Sequence, residues 1–158
     1  MTTRLSPHHG PRIGARPIRL IVLHADASPS EAGTLSWFQN PASKVSYHVL
    51  IGRDGTRYRV VPDNRVAWHA GVSTHPSCVN PKSVNTESLG LSFANRHDGH
   101  EPLTAAQIAA GKVQVAEWQA AHPTIVAVAT HAQVAPKRKT DPELTPNFRL
   151  ADFLLAAS

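Results

Sequence analysis

The sequence predicts an α/β protein, a single three-layer domain with a mixed central β-sheet flanked by helices. Three observations carry that expectation. The 158 residues suit one domain of ordinary size and leave little for a second. Short apolar runs rich in β-branched residues alternate with segments of helical periodicity, in the order strand, helix, hairpin, strand, helix, strand, helix. The hairpin adds an antiparallel pair to strands that otherwise need parallel crossovers.

Residues 1–17 hold three prolines, three arginines and the adjacent His8 and His9 with no periodic pattern, so they read as an irregular N-terminal arm before a domain spanning 18–158. Ile18–His24 (IRLIVLH) is a short apolar run bounded by Pro17 and a polar segment, as for a buried strand. In Ser28–Pro41, Thr34, Leu35 and Phe38 fall at helical spacing, and Asn40 with Pro41 stops the helix. Ser46–Val61 carries two β-rich runs around Asp54-Gly55, a hairpin signal, with Tyr47 on the first strand and His48 on its opposite face. In Ser88–Asn95 the small Ser88, Gly90 and Ser92 share one face and Leu89, Leu91 and Phe93 the other, which suggests the floor of a groove. Thr104 with Gln107 forms a capping-box pattern, followed by Ile108, Gly111, Val115 and Trp118 at helical spacing until Pro123. Thr124–Thr130 reads as another buried strand, ending at His131. Thr145 as N-cap and Pro146 at the first helical position predict a terminal helix over 148–157.

Hydrophobic residues make up 41%, enough for a packed core and against disorder. No apolar run nears the roughly 18 residues of a membrane span, and MTTRLSPHHG lacks the apolar stretch of a secretory signal. Synthesis in the cytoplasm without a signal peptide, and no stable membrane insertion, are therefore expected. Cys78 is the single cysteine, so no intramolecular disulfide can form, and any metal must be held by His and carboxylate. The balance of 16 cationic to 11 anionic residues, +5, favours a polyanionic partner: nucleic acid, anionic lipid or bacterial cell wall. Ten histidines exceed what packing needs, and His is the commonest metal ligand.

His24 and His131 directly follow the two most apolar strands, and in open α/β sheets sites gather at strand ends. The loop after His131, AQVAPKRKTDP, contains one carboxylate, Asp141. Two imidazoles and a carboxylate are a complete protein set for a catalytic zinc with one open position. By spacing alone, a His at a strand end is more often a packed or solvent-edge residue than a metal ligand.

The strings IVLH, YHVLIGRDGTRYRVV, AWHAG, SLGLSF and TH followed by KTDP, in that order from about Ile18 to Pro142, resemble zinc N-acetylmuramoyl-L-alanine amidases. These belong to the type-2 amidase and peptidoglycan recognition protein superfamily, with small phage endolysins as the nearest likeness. The resemblance implies an α/β fold with Zn2+ at the base of a peptidoglycan groove. It implies His24, His131 and Asp141 as zinc ligands, Tyr47 beside the metal, and Lys139 supporting the polarised carbonyl. His69 would contact substrate in the groove, with Trp68 and Ser92 as further substrate contacts. The implied reaction is hydrolysis of the amide joining N-acetylmuramic acid to L-alanine of the stem peptide. The implied setting is a monomeric endolysin that degrades cell wall for host lysis after holin-type release. A non-catalytic peptidoglycan-binding protein and an intracellular cell-wall-recycling amidase are the alternatives.

Three positions depart from the family pattern. Some recycling members have a glutamate where this chain has Ser92, the residue after His24 is Ala25, and Glu143 stands where glycine is usual. Other readings compete at single residues. Tyr47 could simply pack its ring, His69 could cover the sheet edge, and Lys139 could belong to a solvated face with Lys137 and Arg138. His97 with His100 sits in a loop, His75 with Cys78 is a conceivable soft pair, and His122 meets a helix C-terminus. Arg53, Arg57, Arg59 and Arg65 could contact phosphates, yet no nucleic-acid-binding motif accompanies them, and no nucleic-acid partner is expected.

Overall fold

The computed structural model describes residues 1–154. Its main sheet is built from β1 (Thr2–Thr3), β3 (Leu20–Ala25), β4 (Val49–Ile51), β5 (Arg57–Arg59), β7 (Ser88–Phe93) and β8 (Ala127–Thr130), in the spatial order β1-β5-β4-β7-β3-β8. β3 lies at the interior, parallel to β7 on one side and to β8 on the other, and β4 is also parallel to β7. The expected hairpin supplies the antiparallel β4–β5 pair. β2 (His9–Pro11) and β6 (Arg65–Ala67) form a second, two-stranded antiparallel sheet.

Every residue of β3 and β7 is buried, which explains their near-continuous apolar character. Their register sets Leu20 beside Ser88, Val22 beside Gly90 and His24 beside Ser92. Period 2 therefore sends Ile21, Leu23, Leu89, Leu91 and Phe93 to the other face. There they pack against Val115 and Trp118 of α3 (Ala105–Ala121), the longest helix. The Thr104–Gln107 capping box forms as the spacing predicts, and Gln107 also reaches the Ala94 carbonyl at 2.9 Å. Gly111 permits the close approach, because a Cβ there would lie 2.8 Å from the Phe153 ring. The opposite face carries α1 (Glu31–Gln39), α2 (Val84–Glu87) and α4 (His131–Val134), and the connecting loops leave a cleft there. Among the described residues no helix is long and apolar enough to cross a membrane.

Three expectations change. The N-terminal arm is not irregular. β1 extends the main sheet beside β5, β2 pairs with β6, and a short 3-10 helix covers Ile13–Ala15. Ser6 and His8 are buried, Ser6 donating to the Phe38 carbonyl at 2.6 Å and the His8 carbonyl accepting from the Ser46 hydroxyl. Strands of two and three residues are too short to show periodicity, so pairing to waiting edges, not local propensity, orders this segment. Tyr47 precedes β4 rather than lying on it. The terminal helix is replaced, within the described residues, by a 3-10 turn at Leu150–Phe153, and residues 155–157 of the expected helix lie outside the described residues. Asn147 brackets Leu103 with two hydrogen bonds at 2.8 and 2.9 Å, and Thr145 is buried beside Asn95, so both side chains serve distant segments instead of starting a helix.

Arg12 ties the arm to the core. Its guanidinium donates to the carbonyls of Asp63, Thr86 and Ser88 and approaches His48 Nε2 at 3.2 Å. Burial pushes its pKa down to about 10, Asp63 opposing, so it stays charged at neutral pH. Arg12→Ala leaves three carbonyls short of a charged donor and should lower unfolding free energy by about 3 kcal/mol or more in a urea titration.

Candidate active site

Parallel pairing of β3 and β8 brings their C-terminal ends to one edge of the sheet. His24 is the penultimate residue of β3, and His131 opens α4 immediately after β8, where the Thr130–Gln133 capping box fixes the helix start. The loop after α4 returns Asp141 to the same place, its carbonyl accepting from Ala132 N at 3.0 Å. His24, His131 and Asp141 are all buried, and one potential ligand atom from each lies within 4.8 Å of the others. His24 Nδ1 stands 3.4 Å from Asp141 Oδ2, His131 Nδ1 3.1 Å from Asp141 Oδ1, and the two rings are 4.4 Å apart.

This donor set fits a divalent cation. His24 Nδ1 is buried without a hydrogen-bond partner, a costly arrangement unless something else uses its lone pair. His131 Nε2 lies 3.2 Å from the Ala70 carbonyl, which can only accept, so a neutral His131 turns its Nδ1 lone pair toward the Asp141 carboxylate. A cation between the two lone pairs reconciles them. Burial holds His24 down to about 4, opposed by Asp141 and reinforced by the neighbouring His131 and Lys139. Burial would raise Asp141, but the His131 and His24 rings 3.1 and 3.4 Å from its oxygens outweigh that and hold it far below the usual carboxylate range. An anionic aspartate beside a neutral imidazole is the protonation state that metal binding requires.

His24 lies fully buried beside His131 and Asp141, which line a cleft of about 480 Å³. Tyr47 lines it with its ring 4.8 Å from His24. Burial, then the nearby carboxylates of Asp141 and Asp26, raise its phenol well above the ordinary value, so it remains protonated and can donate but not act as a base. Lys139 lines the same cleft. Trp68 stands at the mouth, 38% exposed and tilted against His8 at 5.8 Å between centroids. His69 faces the cleft but is 4% exposed, with Nδ1 3.0 Å from His24 Nε2 and Nε2 3.0 Å from the Ser88 hydroxyl. Ser92 is fully buried and stands outside the lining.

Among the lining residues without a site expectation are Asp26, Lys44, His97 and Arg138. Asp26 is buried, accepting from the Thr34 hydroxyl and from Asn95 N at 2.9 Å, and burial raises its pKa against those hydrogen bonds. Lys44 and His97 both adopt left-handed backbone, φ 49° and 53°, and His97 Nε2 lies 3.0 Å from the Thr140 hydroxyl. Arg138 donates to the carbonyls of Ala70 at 2.6 Å and Val72 at 3.0 Å, so it staples two loops rather than decorating a solvated face. The His75 ring accepts from Ser77 N, and Cys78 meets His75 through the backbone, its N donating to the His75 carbonyl at 3.2 Å. Of the hairpin arginines, Arg53 pairs with Glu101, Arg57 with Glu117 and Arg59 with Asp63, while Arg65 donates to His9 Nδ1 at 3.1 Å.

The profile of the N-acetylmuramoyl-L-alanine amidase family Amidase_2 matches residues 14–144. The chain belongs to that family. Among the amidases, AmpD from Salmonella typhimurium (strain SL1344), a 1,6-anhydro-N-acetylmuramyl-L-alanine amidase, is 36% identical over 102 residues, which are 63% of this chain and 51% of that protein. The chain thus spans about half the length of that curated relative. The crystal structure of a selenomethionine AmpD derivative superposes with a TM-score of 0.76 at 27% identity, covering 96% of this chain and 91% of that one. AmiD from E. coli, solved with anhydro-N-acetylmuramic acid-L-Ala-D-gamma-Glu-L-Lys, gives 0.66 at 27% identity over 82% and 55%. These likenesses carry the expected fold and the type-2 amidase superfamily; they do not show the expected nearness to small phage endolysins.

Two buried imidazoles, His24 near 4 and His48 near 3, set an acid limit on the metal-free amidase fold. Below ~6.5 the unfolded chain binds protons that the folded chain refuses. Stability should therefore drop as pH falls from about 6.5 toward 4. Thermal melts of chelator-treated protein across that range check this; a flat Tm contradicts it.

Proposed function

We propose that the chain is a zinc-dependent peptidoglycan amidase that hydrolyses the amide between N-acetylmuramic acid and L-alanine of the stem peptide. The observation that carries this reading is the buried His24, His131 and Asp141 set, with its unpartnered imidazole nitrogen, of which His131 and Asp141 line a cleft. The muropeptide bound in the AmiD structure, a protein of like fold, supports the substrate class.

Zinc held by these three residues would supply an activated water and a Lewis acid for the scissile carbonyl. The protein's own contribution is positioning and charge. Lys139 lines the cleft beside the ligand cluster, near enough that its ammonium depresses His24, and there it can stabilise negative charge growing on the carbonyl oxygen. The protonated Tyr47 phenol offers a hydrogen bond to the same oxygen or to the attacking water. Trp68 at the mouth presents an apolar face to the glycan or peptide, while His69 and Ser92 act from behind the cleft wall.

A second reading concerns deployment. Ser92 lacks the carboxylate that some recycling members use for proton transfer, which favours a monomeric wall-degrading endolysin released through a holin-type pore; the 1,6-anhydro-N-acetylmuramyl substrate in the name of AmpD and the anhydro-muropeptide bound by AmiD favour action on soluble anhydro-muropeptides, as in an intracellular cell-wall-recycling amidase. Comparing turnover on purified sacculi and on soluble 1,6-anhydro-muropeptides separates the two.

On purified cell wall the protein should release new L-alanine amino termini and no reducing sugar ends, and chelation should abolish the release until zinc is restored. Reducing ends would identify a glycosidase. Lys139→Ala should retain full metal content by elemental analysis while turnover falls about 10²-fold or more. Tyr47→Phe should likewise keep fold and metal with reduced turnover, and unchanged turnover would remove the phenol from the mechanism.

A further inference from the structure

His24 reaches the ligand cluster through Nδ1, and its other nitrogen enters a chain of hydrogen bonds whose direction can be worked out from the far end. The carbonyl of Val84 lies in the four-residue α2, one turn before Ser88. The Ser88 hydroxyl donates to that carbonyl at 2.5 Å. Its single proton is thereby committed, so toward His69 Nε2, 3.0 Å away, it can only accept. His69 must carry its proton on Nε2, which leaves Nδ1 as an acceptor. His24 Nε2, 3.0 Å from that Nδ1, must then be the donor. A neutral His24 with its proton on Nε2 has its lone pair on Nδ1, the atom turned toward Asp141. Gly90 makes the relay possible, since a Cβ there would stand 2.7 Å from the His69 ring.

We propose that Ser88 and His69 are positioning residues that lock His24 in the Nε2–H tautomer, holding its Nδ1 lone pair ready for a divalent metal before the metal arrives. This rests on the reading of His24 as a metal ligand, and it assigns to the histidine of the AWHAG string a role behind the ligand. Groups bonded to the far side of a metal-binding imidazole typically shift metal affinity about 10- to 100-fold.

The test uses nitrogen-15 histidine correlation spectra of the metal-free full chain, which report the protonated ring nitrogen, together with zinc affinity by chelator competition. His24 should show the Nε2–H form in the wild type. Ser88→Ala should give a mixture of tautomers and raise the zinc Kd about 10-fold. His69→Asn retains a carbonyl acceptor for His24 and should restore much of that affinity, and adding Ser88→Ala to it should then have no further effect on the His24 tautomer. Circular dichroism confirms that each variant is folded. An Nδ1–H form of His24 in the wild type, or Ser88→Ala with tautomer and zinc Kd unchanged, overturns the relay. Failure of the amidase reading looks different, since inactivity on muropeptides would leave the tautomer and metal affinity intact.

Discussion

The parallel ladder that runs β7-β3-β8 is the constraint on which the rest of the molecule depends. Because all three strands point the same way, their C-terminal ends share one edge, and residues that are more than a hundred apart in sequence, His24 and His131, face each other across 4.4 Å between ring centroids. An antiparallel β8 would carry His131 to the opposite edge. The same ladder fixes the face as well as the end. With His24 in register with Ser92, the period of two sends Ser88, Gly90 and Ser92 under the site and the leucines and phenylalanine under α3. Small residues on one side of β7 create room for imidazole rings, and large ones on the other side build the core.

Crowding histidines into that room has an electrostatic consequence. His24, His48 and His69 are all depressed, primarily by burial, so the folded protein keeps them neutral. Neutral imidazoles are acceptors as well as donors, and each lone pair needs a use. His48 gives one to Gly90 N at 2.9 Å, replacing a ladder bond that the short β4 cannot make. His69 gives one to His24. Only His24 Nδ1 is left over, and it is turned toward the one carboxylate in the cluster. The geometry of the cleft is therefore that of a site completed by a cation, with a protonated phenol and an ammonium on its walls ready to meet negative charge on the substrate.

Much of this was legible in the sequence because it rests on local pattern. The apolar runs ending at His24 and His131, the Asp54-Gly55 hairpin and the Thr104 capping box each report their own structure within a few residues, and the fold class follows from their order. The ligand cluster was accessible through strand ends and the family likeness together. What stayed hidden depends on distant partners. Asp26 has no local signature, and it enters the cleft because Thr34 and Asn95 hold its carboxylate from two other elements. Arg138 looked like one of three consecutive cations, and only the fold brings the Ala70 and Val72 carbonyls within its reach. Conversely, Thr145 and Pro146 make a persuasive helix start, but the threonine hydroxyl is drawn toward Asn95 and Asn147 is drawn to Leu103.

The N-terminal segment shows how such long-range demands redraw a boundary placed by composition. A cut after Pro17 looks natural in the sequence, yet Arg12 donates to the Ser88 carbonyl at the very start of β7 and to Thr86 just before it, while touching His48, whose other nitrogen holds Gly90. Ser88 and Gly90 are the two positions that seat His69, and His69 in turn meets His24. A guanidinium buried among carbonyls is favourable only where it satisfies groups that would otherwise lack donors, and here those groups belong to the strand that floors the cleft. The arm is thus continuous, bond by bond, with the wall behind the metal ligands.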